Sequence, residues 1–491
     1  MRLAELMESA GIAASDAGDR SVTGFAIDHR KVAPGTVFGA FQGAAVNGEG
    51  FIPDAVAAGA IAVVARPEAV VDGALHIADA NPRRAFARLA AEFFSPVPDT
   101  IVAVTGTNGK TSCVEMTRQL WRMAGERAAS IGTLGVTTPD GSVSTGLTTP
   151  DIVTFLANMS GLAREGVTHV AYEASSHGLS QYRNEGLRVA ASAFTNFSRD
   201  HLDYHGTMAE YFAAKMRLFT QVVAPGSPAI IHDAGDGSEW TAKAIAEARA
   251  RGLEVLTVGE GGTFLRLAAR EPGQLGQTLT IEHAGETRKV NLPLIGAYQA
   301  ANALVSAGLA LATGVSASSV FDALTRLQPV RGRLERAALN SAGAPVYVDY
   351  AHTPDALDAA IAALRPHVAN GGRLIVVFGA GGDRDVGKRP QMGEVATRSA
   401  DLVIVTDDNP RSEDPATIRA AILAGAGGNA REIGDRRAAI AAAVGDAGPS
   451  DIVLIAGKGH EQGQIFGSGD TMRIEAFDDV EVARECAGGQ C

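Results

Sequence analysis

Val104-Thr105-Gly106-Thr107-Asn108-Gly109-Lys110-Thr111 joins an apolar strand, Ile101 to Val104, to a glycine-rich turn that ends in Gly-Lys-Thr. Backbone N–H groups of such a turn, and of the helix it opens, point at phosphate oxygens. Lys110 adds a point charge, and the Thr111 hydroxyl is placed to hold a magnesium ion. Thr105, Gly106, Thr107, Asn108, Gly109, Lys110 and Thr111 are therefore the candidate phosphate cradle, and a nucleoside triphosphate is the expected ligand. The usual spacing puts a glycine five residues before Gly109, where this chain has Val104, so the cradle is a shortened variant. The alternative is a glycine-rich turn that merely enters a helix.

A strand feeding a phosphate turn implies a sheet covered by helices, and the rest of the chain is long enough for more than one. At 491 residues the length suggests about two to four domains, and 46% hydrophobic content lets each bury a core. The net charge of −12 argues against a nucleic-acid groove or an anionic membrane surface, since either needs a concentrated basic face. Cys113, Cys486 and Cys491 are too few and too badly spaced for a disulfide framework or a zinc site, which fits a reducing cytoplasm. Cys113 reads as helix packing. No signal peptide and no apolar run of spanning length is evident, so a cytoplasmic protein without membrane insertion is expected.

Strand candidates at Thr36–Phe41 and Ala60–Val64 and a helix from Pro82 to Phe94 precede a Ser95-Pro96-Val97-Pro98-Asp99 linker. From Ile101 to about Leu334, strands such as Val167–Tyr172 and Ala190–Phe194 alternate with helical patterns, the mark of a largely parallel sheet. A third block repeats this with strands at Val346–Tyr350, Leu374–Gly379, Leu402–Thr406 and Ile452–Ala456, each running into a polar or glycine-rich loop. The expected fold class is α/β, with domains at residues 1–98, 99–332 and 333–491. Functional residues should lie at the strand C-termini.

Three further segments of the middle block carry chemistry. In Ala171-Tyr172-Glu173-Ala174-Ser175-Ser176-His177-Gly178-Leu179 an apolar strand ends on Glu173, which together with Thr111 supplies the hard oxygen ligands magnesium prefers. Alone, Glu173 would read as a capping or salt-bridge residue. Thr195-Asn196-Phe197-Ser198-Arg199-Asp200-His201-Leu202-Asp203-Tyr204-His205 gathers two Asp, two His and an Arg, with His201 a metal-ligand candidate and Asp200 its orienting partner. In Tyr211–Phe219, Lys215 stands among apolar residues; read by itself it is a snorkelling side chain.

With these stretches in order, the chain resembles the Mur ligase family, ATP-dependent amide-forming enzymes that build the peptidoglycan stem peptide. The likeness also rests on Asp349-Tyr350-Ala351-His352-Thr353-Pro354, Asp383-Arg384-Asp385, Lys388-Arg389-Pro390, Asp408-Asn409-Pro410-Arg411 and Gly457-Lys458-Gly459-His460-Glu461. It implies a three-domain architecture: a UDP-muramoyl-binding domain, a central P-loop ATPase domain and a C-terminal Rossmann-like domain. It also implies ATP, Mg2+ and a carbon dioxide-derived carbamate on Lys215, which would turn a cation into an oxygen ligand beside His201. Lys110, Lys215, Glu173 and His201 are then the catalytic set, and Thr111, Glu173, His201 and carbamylated Lys215 the metal ligands.

The same resemblance puts Asn302, Arg333, Asp349 and His352 around ATP. Thr148, Thr149, Ser175, Gln181 and Arg183, with Ile27 and His29, fall on the UDP-muramoyl dipeptide. Family members often carry Asp-Ser-Arg where this chain has Asp28-His29-Arg30, and the loop Gly43–Gly48 lacks their polar side chains. The resemblance further implies diaminopimelate as the amino acid added; it differs from lysine by a second carboxylate beside its distal amine, so the Arg411 fork is the expected reader, with Asp408, Asn409, Pro410 and Arg389 around it. The Gly457 carbonyl and Glu461 would receive the distal ammonium. The expected partners are small molecules alone, with a monomeric chain and domains that close over the reaction. The competing readings are a lysine-adding or other Mur-type ligase, folylpolyglutamate synthetase, and a nucleotide-dependent switch or transport ATPase.

Overall fold

Ile101, Val102 and Val104, β-branched and with no polar neighbour until Thr105, form the strand Thr100–Thr105, buried on both faces. In the computed structural model, which describes residues 1–14, 17–43, 46–143, 148–273 and 275–489 (Asp203 and Asp470 in backbone only), this strand sits inside a parallel sheet. Its neighbours are His169–Glu173 on one side and Ala191–Phe194 on the other, the latter followed by Pro228–His232 and Glu254–Gly259. Beyond His169–Glu173 come parallel Ala128–Gly132 and the antiparallel pieces Gly135–Thr137 and Ser142–Val143. The register sets Val104 opposite Glu173 and Thr105 opposite Phe194, so the phosphate turn, Glu173 and Thr195 leave the sheet from adjacent strand ends.

Chain contacts divide the protein into two units. The first comprises residues 1–265 and 305–320, the second 266–304 and 321–491. Besides the central sheet, the first unit holds a four-stranded parallel sheet, Gly24–Ala26, Thr36–Gly39, Ala60–Ala65 and Leu75–Ala78. The helix Pro82–Phe93 covers it, capped by Asn81 and presenting Phe86 and Leu89 to Phe25 and Phe41. One apolar cluster runs from Leu3 through Phe86 to Phe155, Tyr172 and Phe219.

The second unit carries the antiparallel strands Leu265–Gly273, Gly276–His283 and Glu286–Leu292 and a six-stranded sheet. That sheet runs Glu335–Leu339, Pro345–Asp349, Ile452–Ala456, Leu374–Phe378, Leu402–Val405, Ala430–Glu432, all parallel except the first pair. Apolar clusters lie on both of its faces, one around Ile361 and Leu364 and one around Ile440 and Val444. They make it the doubly covered sheet that the alternating pattern predicts.

Boundaries shift by one to three residues from the sequence expectation. The helix through Lys215 runs Met208–Arg217 and loosens to a π-type turn over Leu218–Val222. Cys113 is buried in its helix, as read, and is not in a disulfide; Cys486 is disulfide-bonded, and Cys491 lies outside the described residues. Ala44 and Ala45 of the Gly43–Gly48 loop also lie outside them. Among the described residues no helix is long and apolar enough to cross a membrane.

Candidate active site

In the first unit the turn bends where its glycines allow it. Gly106 has φ 140° and Gly109 φ 85°, both in the region L side chains avoid. A Cβ on Gly106 would stand 1.9 Å from Thr195 Oγ1, so the position is closed to any larger residue. The loop after the neighbouring strand braces the turn. Thr195 Oγ1 donates to the Asn108 carbonyl (2.6 Å), the Asn108 amide donates to Asn196 Oδ1 (2.9 Å), and the Thr107 amide donates to the Asn196 carbonyl (2.9 Å). Sequence reading gave Thr195 and Asn196 no part in this. Helix Lys110–Met123 opens directly behind, its first N–H groups facing the turn.

Lys110 Nζ donates to the carbonyls of Gly106 (3.0 Å) and Thr107 (2.7 Å). Lys215 Nζ, from a different helix, donates to the same Gly106 carbonyl at 2.7 Å. The snorkelling reading of Lys215 fails: the residue is 1% exposed, and its ammonium lies 4.3 Å from the Tyr211 ring centroid. Burial, then the Lys110 cation, push its pKa well below the usual lysine range. Tyr211 in turn donates its hydroxyl to Thr107 Oγ1 (3.3 Å).

Glu173 ends its strand 1% exposed, accepting from the Thr133 amide at 2.7 Å; a Cβ on Gly132 would come 2.1 Å from its Oε1. His201 holds φ 50°, has its Nε2 3.4 Å from Asp200 Oδ2, and its ring lies 5.0 Å from that of His177. No group of three or more His, Cys, Asp or Glu side chains among the described residues is poised to hold a metal. Magnesium fits such a sparse set, because it keeps waters and phosphate oxygens and asks few ligands of a protein.

The dipeptide candidates converge on one another. Thr149 Oγ1 donates to Ser175 Oγ (2.9 Å), Arg183 donates to the Thr149 carbonyl (2.8 Å) and to Gln181 Oε1 (2.7 Å), and Gln181 Nε2 donates to the Tyr204 hydroxyl (3.1 Å). Thr148 Oγ1 lies 3.0 Å from Thr133 Oγ1, on the residue whose amide meets Glu173. Ile27 is exposed, and His29 stacks on Phe51 with centroids 4.4 Å apart.

In the second unit Asn302 donates to Gln299 Oε1 (3.2 Å), and Gln299 donates to the Arg333 carbonyl (2.7 Å). The Arg333 guanidinium lies 4.9 Å from the Tyr350 ring centroid, and His352 Nδ1 is 2.8 Å from the Tyr350 carbonyl. Asp349 accepts from the Leu334 and Ala351 amides, and burial raises its pKa. Of the two residues that tie these candidates together, Tyr350 lies within the Asp349–Pro354 stretch, which assigns it no role, and Gln299 carries no distinguishing sequence signal.

The amino-acid candidates leave three adjacent strands of the six-stranded sheet. Arg411, at φ 53°, donates Nη1 to the Gly382 carbonyl (2.8 Å). Asn409 Nδ2 donates to Glu461 Oε2 (2.8 Å), and Pro410 follows it in the same loop. A Cβ on Gly457 would lie 2.4 Å from Asp408 Oδ2, so backbone and carboxylate are in close approach. Arg389 is 1% exposed and its fork is taken by Glu413, at 2.9 and 2.8 Å. The expected partner is a substrate carboxylate; here a carboxylate of the chain itself stands there. Beneath, Arg436 and Asp479 form a fully buried bidentate pair at 2.7 Å.

A phosphate turn backed by two lysines, and a separate loop cluster rich in forked and amide donors, are the parts of a nucleotide-dependent enzyme of the P-loop kind. Family models agree over most of the length: "Mur ligase family, catalytic domain" matches residues 21–94, "Mur ligase middle domain" 104–310 and "Mur ligase, glutamate ligase domain" 332–459. The chain belongs to the Mur ligase family. It is 60% identical over 467 residues, 95% of each chain, to the UDP-N-acetylmuramoyl-L-alanyl-D-glutamate–2,6-diaminopimelate ligase of Zymomonas mobilis. It is 54% identical, over 94% of each chain, to the ligase of the same name from Bradyrhizobium diazoefficiens. A solved structure bearing that ligase's name superposes with TM-score 0.75 at 33% identity, covering 99% of both chains.

Proposed function

We propose that this protein joins meso-2,6-diaminopimelate to the D-Glu side-chain carboxylate of UDP-MurNAc-L-Ala-D-Glu, using ATP and releasing ADP and phosphate. The observation that carries the reading is the meeting of Asp408, Asn409, Arg411, Gly457 and Glu461 beyond the ends of two strands of one sheet, Leu402–Val405 and Ile452–Ala456, which flank Leu374–Phe378, in a chain so similar to ligases of that name. Residues 1–98 take the uridine and muramoyl end, 99–332 the nucleotide, and 333–491 the amino acid.

A carboxylate resists attack because the incoming amine adds charge to an anion and the leaving group would be an oxide. Transfer of the γ-phosphoryl group makes an acyl phosphate, whose leaving group is phosphate. The free amine then adds to the acyl carbon, and the tetrahedral adduct collapses to the amide. Lys110 gives the phosphates a fixed cation and the turn's N–H groups orient them. Thr111, Glu173 and His201 are the side chains that would hold magnesium, which neutralises phosphate charge when bound. Lys215 is suited to carbamylation because its buried amine favours the neutral form that attacks carbon dioxide. Thr148, Thr149, Ser175, Gln181 and Arg183 grip the dipeptide. The work is cytoplasmic and the chain acts as a monomer.

An amino-acid panel with the muramoyl dipeptide and ATP tests this by product mass and phosphate release. Diaminopimelate should be consumed and lysine rejected. Equal use of lysine would assign a different ligase of the family, and strong hydrolysis that ignores both substrates would favour a switch or transport ATPase.

A further inference from the structure

Lys458 lies within the Gly457–Glu461 segment and is 0% exposed, yet neither the phosphate chemistry nor the expected amino-acid contacts use it. Its ammonium donates to Asn409 Oδ1 at 2.8 Å. The same oxygen accepts the Ile465 amide at 3.0 Å. An amide oxygen has two lone pairs, and both are now engaged by donors that cannot act as acceptors. The orientation of the Asn409 amide is thereby fixed, with Oδ1 taken and one Nδ2 hydrogen on Glu461 Oε2 at 2.8 Å. What remains for a ligand is one N–H donor, set beside a carboxylate whose side chain is 34% exposed.

A donor next to a carboxylate matches a group carrying an acceptor next to a cation, which is the distal α-amino-acid end of diaminopimelate. Reversed, the amide would show a carbonyl, suit an ammonium, and give no preference for a second carboxylate. Asp408 (3.9 Å) and Glu461 (3.7 Å) flank the Lys458 ammonium and offset its burial, while Arg436 opposes it from below.

We propose that Lys458 is a positioning residue for substrate choice: by occupying Asn409 Oδ1 it makes Asn409 a carboxylate reader and so helps the site select a doubly headed amino acid over lysine. This rests on the ligase reading above. The experiment compares wild type, Lys458→Met and Lys458→Gln, measuring kcat and KM for meso-diaminopimelate and L-lysine separately, and KM for ATP and the dipeptide. Lys458→Met should raise the diaminopimelate KM about tenfold and narrow the ratio of kcat/KM between the two amino acids by a similar factor. KM for ATP and dipeptide should stay within about twofold. Lys458→Gln, which retains a donor, should recover much of the selectivity.

A merely structural lysine would lower both amino acids alike; an unchanged ratio in both variants, or equal behaviour of Met and Gln, would overturn the proposal. If Lys458→Met does not fold, the Gln variant against wild type still decides, since full loss of selectivity there contradicts the donor role. A wild type that does not discriminate at all would instead refute the ligase reading.

Discussion

The phosphate turn and the amino-acid loops are built on opposite principles. Around Gly106 the groups on offer are backbone amides and two lysines resting on one carbonyl, and the shape is imposed by glycine φ angles and by the Thr195–Asn196 brace. Around Arg411 the shape is imposed by side chains tied to other side chains: Arg389 on Glu413, Arg436 on Asp479, Lys458 on Asn409. Backbone and point charges recognise phosphate wherever it is attached. Forks and oriented amides recognise one arrangement of charges. The first region should therefore govern rate for every substrate, and the second should govern which amino acid is used and how stably its own fold is held.

The strongest way to break this contrast is at Lys215. Lys215→Ala should cut turnover at least about a thousandfold, ~4 kcal/mol in the barrier, while nucleotide affinity changes little. Single-turnover ligation and nucleotide titration by calorimetry check both halves; turnover near wild type would remove Lys215 from the chemistry. Next in size is Arg436→Met. It strands Asp479, which is fully buried, and should destabilise the second unit by about 3–4 kcal/mol in urea unfolding. Lys110→Met, on a half-buried lysine bonded to carbonyls, should cost less than about 1 kcal/mol. Comparable losses at the two positions would erase the distinction between the regions.

The same contrast explains what the sequence discloses. Strands such as Ile452–Ala456 and Leu402–Val405 are legible because a strand buried on both faces needs an uninterrupted apolar run, and such runs here end at polar loops. The phosphate turn is legible because its geometry demands glycines at fixed spacing. Lys215 misleads in isolation because Tyr211 beside it on the helix is visible to periodicity, but the Gly106 carbonyl that takes its ammonium, 109 residues away in sequence, is not. Arg389 is legible as a charge near a loop, but its pairing with Glu413 depends on the helix Lys388–Ser399 meeting the loop that follows a different strand, Leu402–Val405. Asn409 and Lys458 are 49 residues apart in sequence, so no local pattern could show that one orients the other.

A smaller effect sharpens the second region's claim to selectivity. Arg411→Ala should lower kcat/KM for diaminopimelate about a hundredfold and leave KM for ATP within about twofold, because the fork that would meet the second carboxylate is gone. Steady-state kinetics with each substrate varied in turn provides the check, and a loss shared equally with ATP would place Arg411 outside amino-acid recognition.

The last predicted effect is a pH dependence that originates in the second region. Burial, then the Arg333 and Arg331 cations, push the His460 pKa from 6.5 to about 4, and its ring packs 5.0 Å from Tyr350. The unfolded chain therefore binds the proton more readily than the folded one between those values. Stability from this source is complete above about pH 6.5 and is lost as pH falls towards 4, by roughly 1–3 kcal/mol with solvent screening included. Carboxylates contribute to acid unfolding as well, so the informative quantity is a difference. His460→Gln, which cannot take up that proton, should lose less stability than wild type between pH 7 and about 4.5 in urea titrations. Parallel losses in the two proteins would mean that His460 protonates as easily folded as unfolded, and that the loops around Tyr350 are open to water rather than packed against its ring.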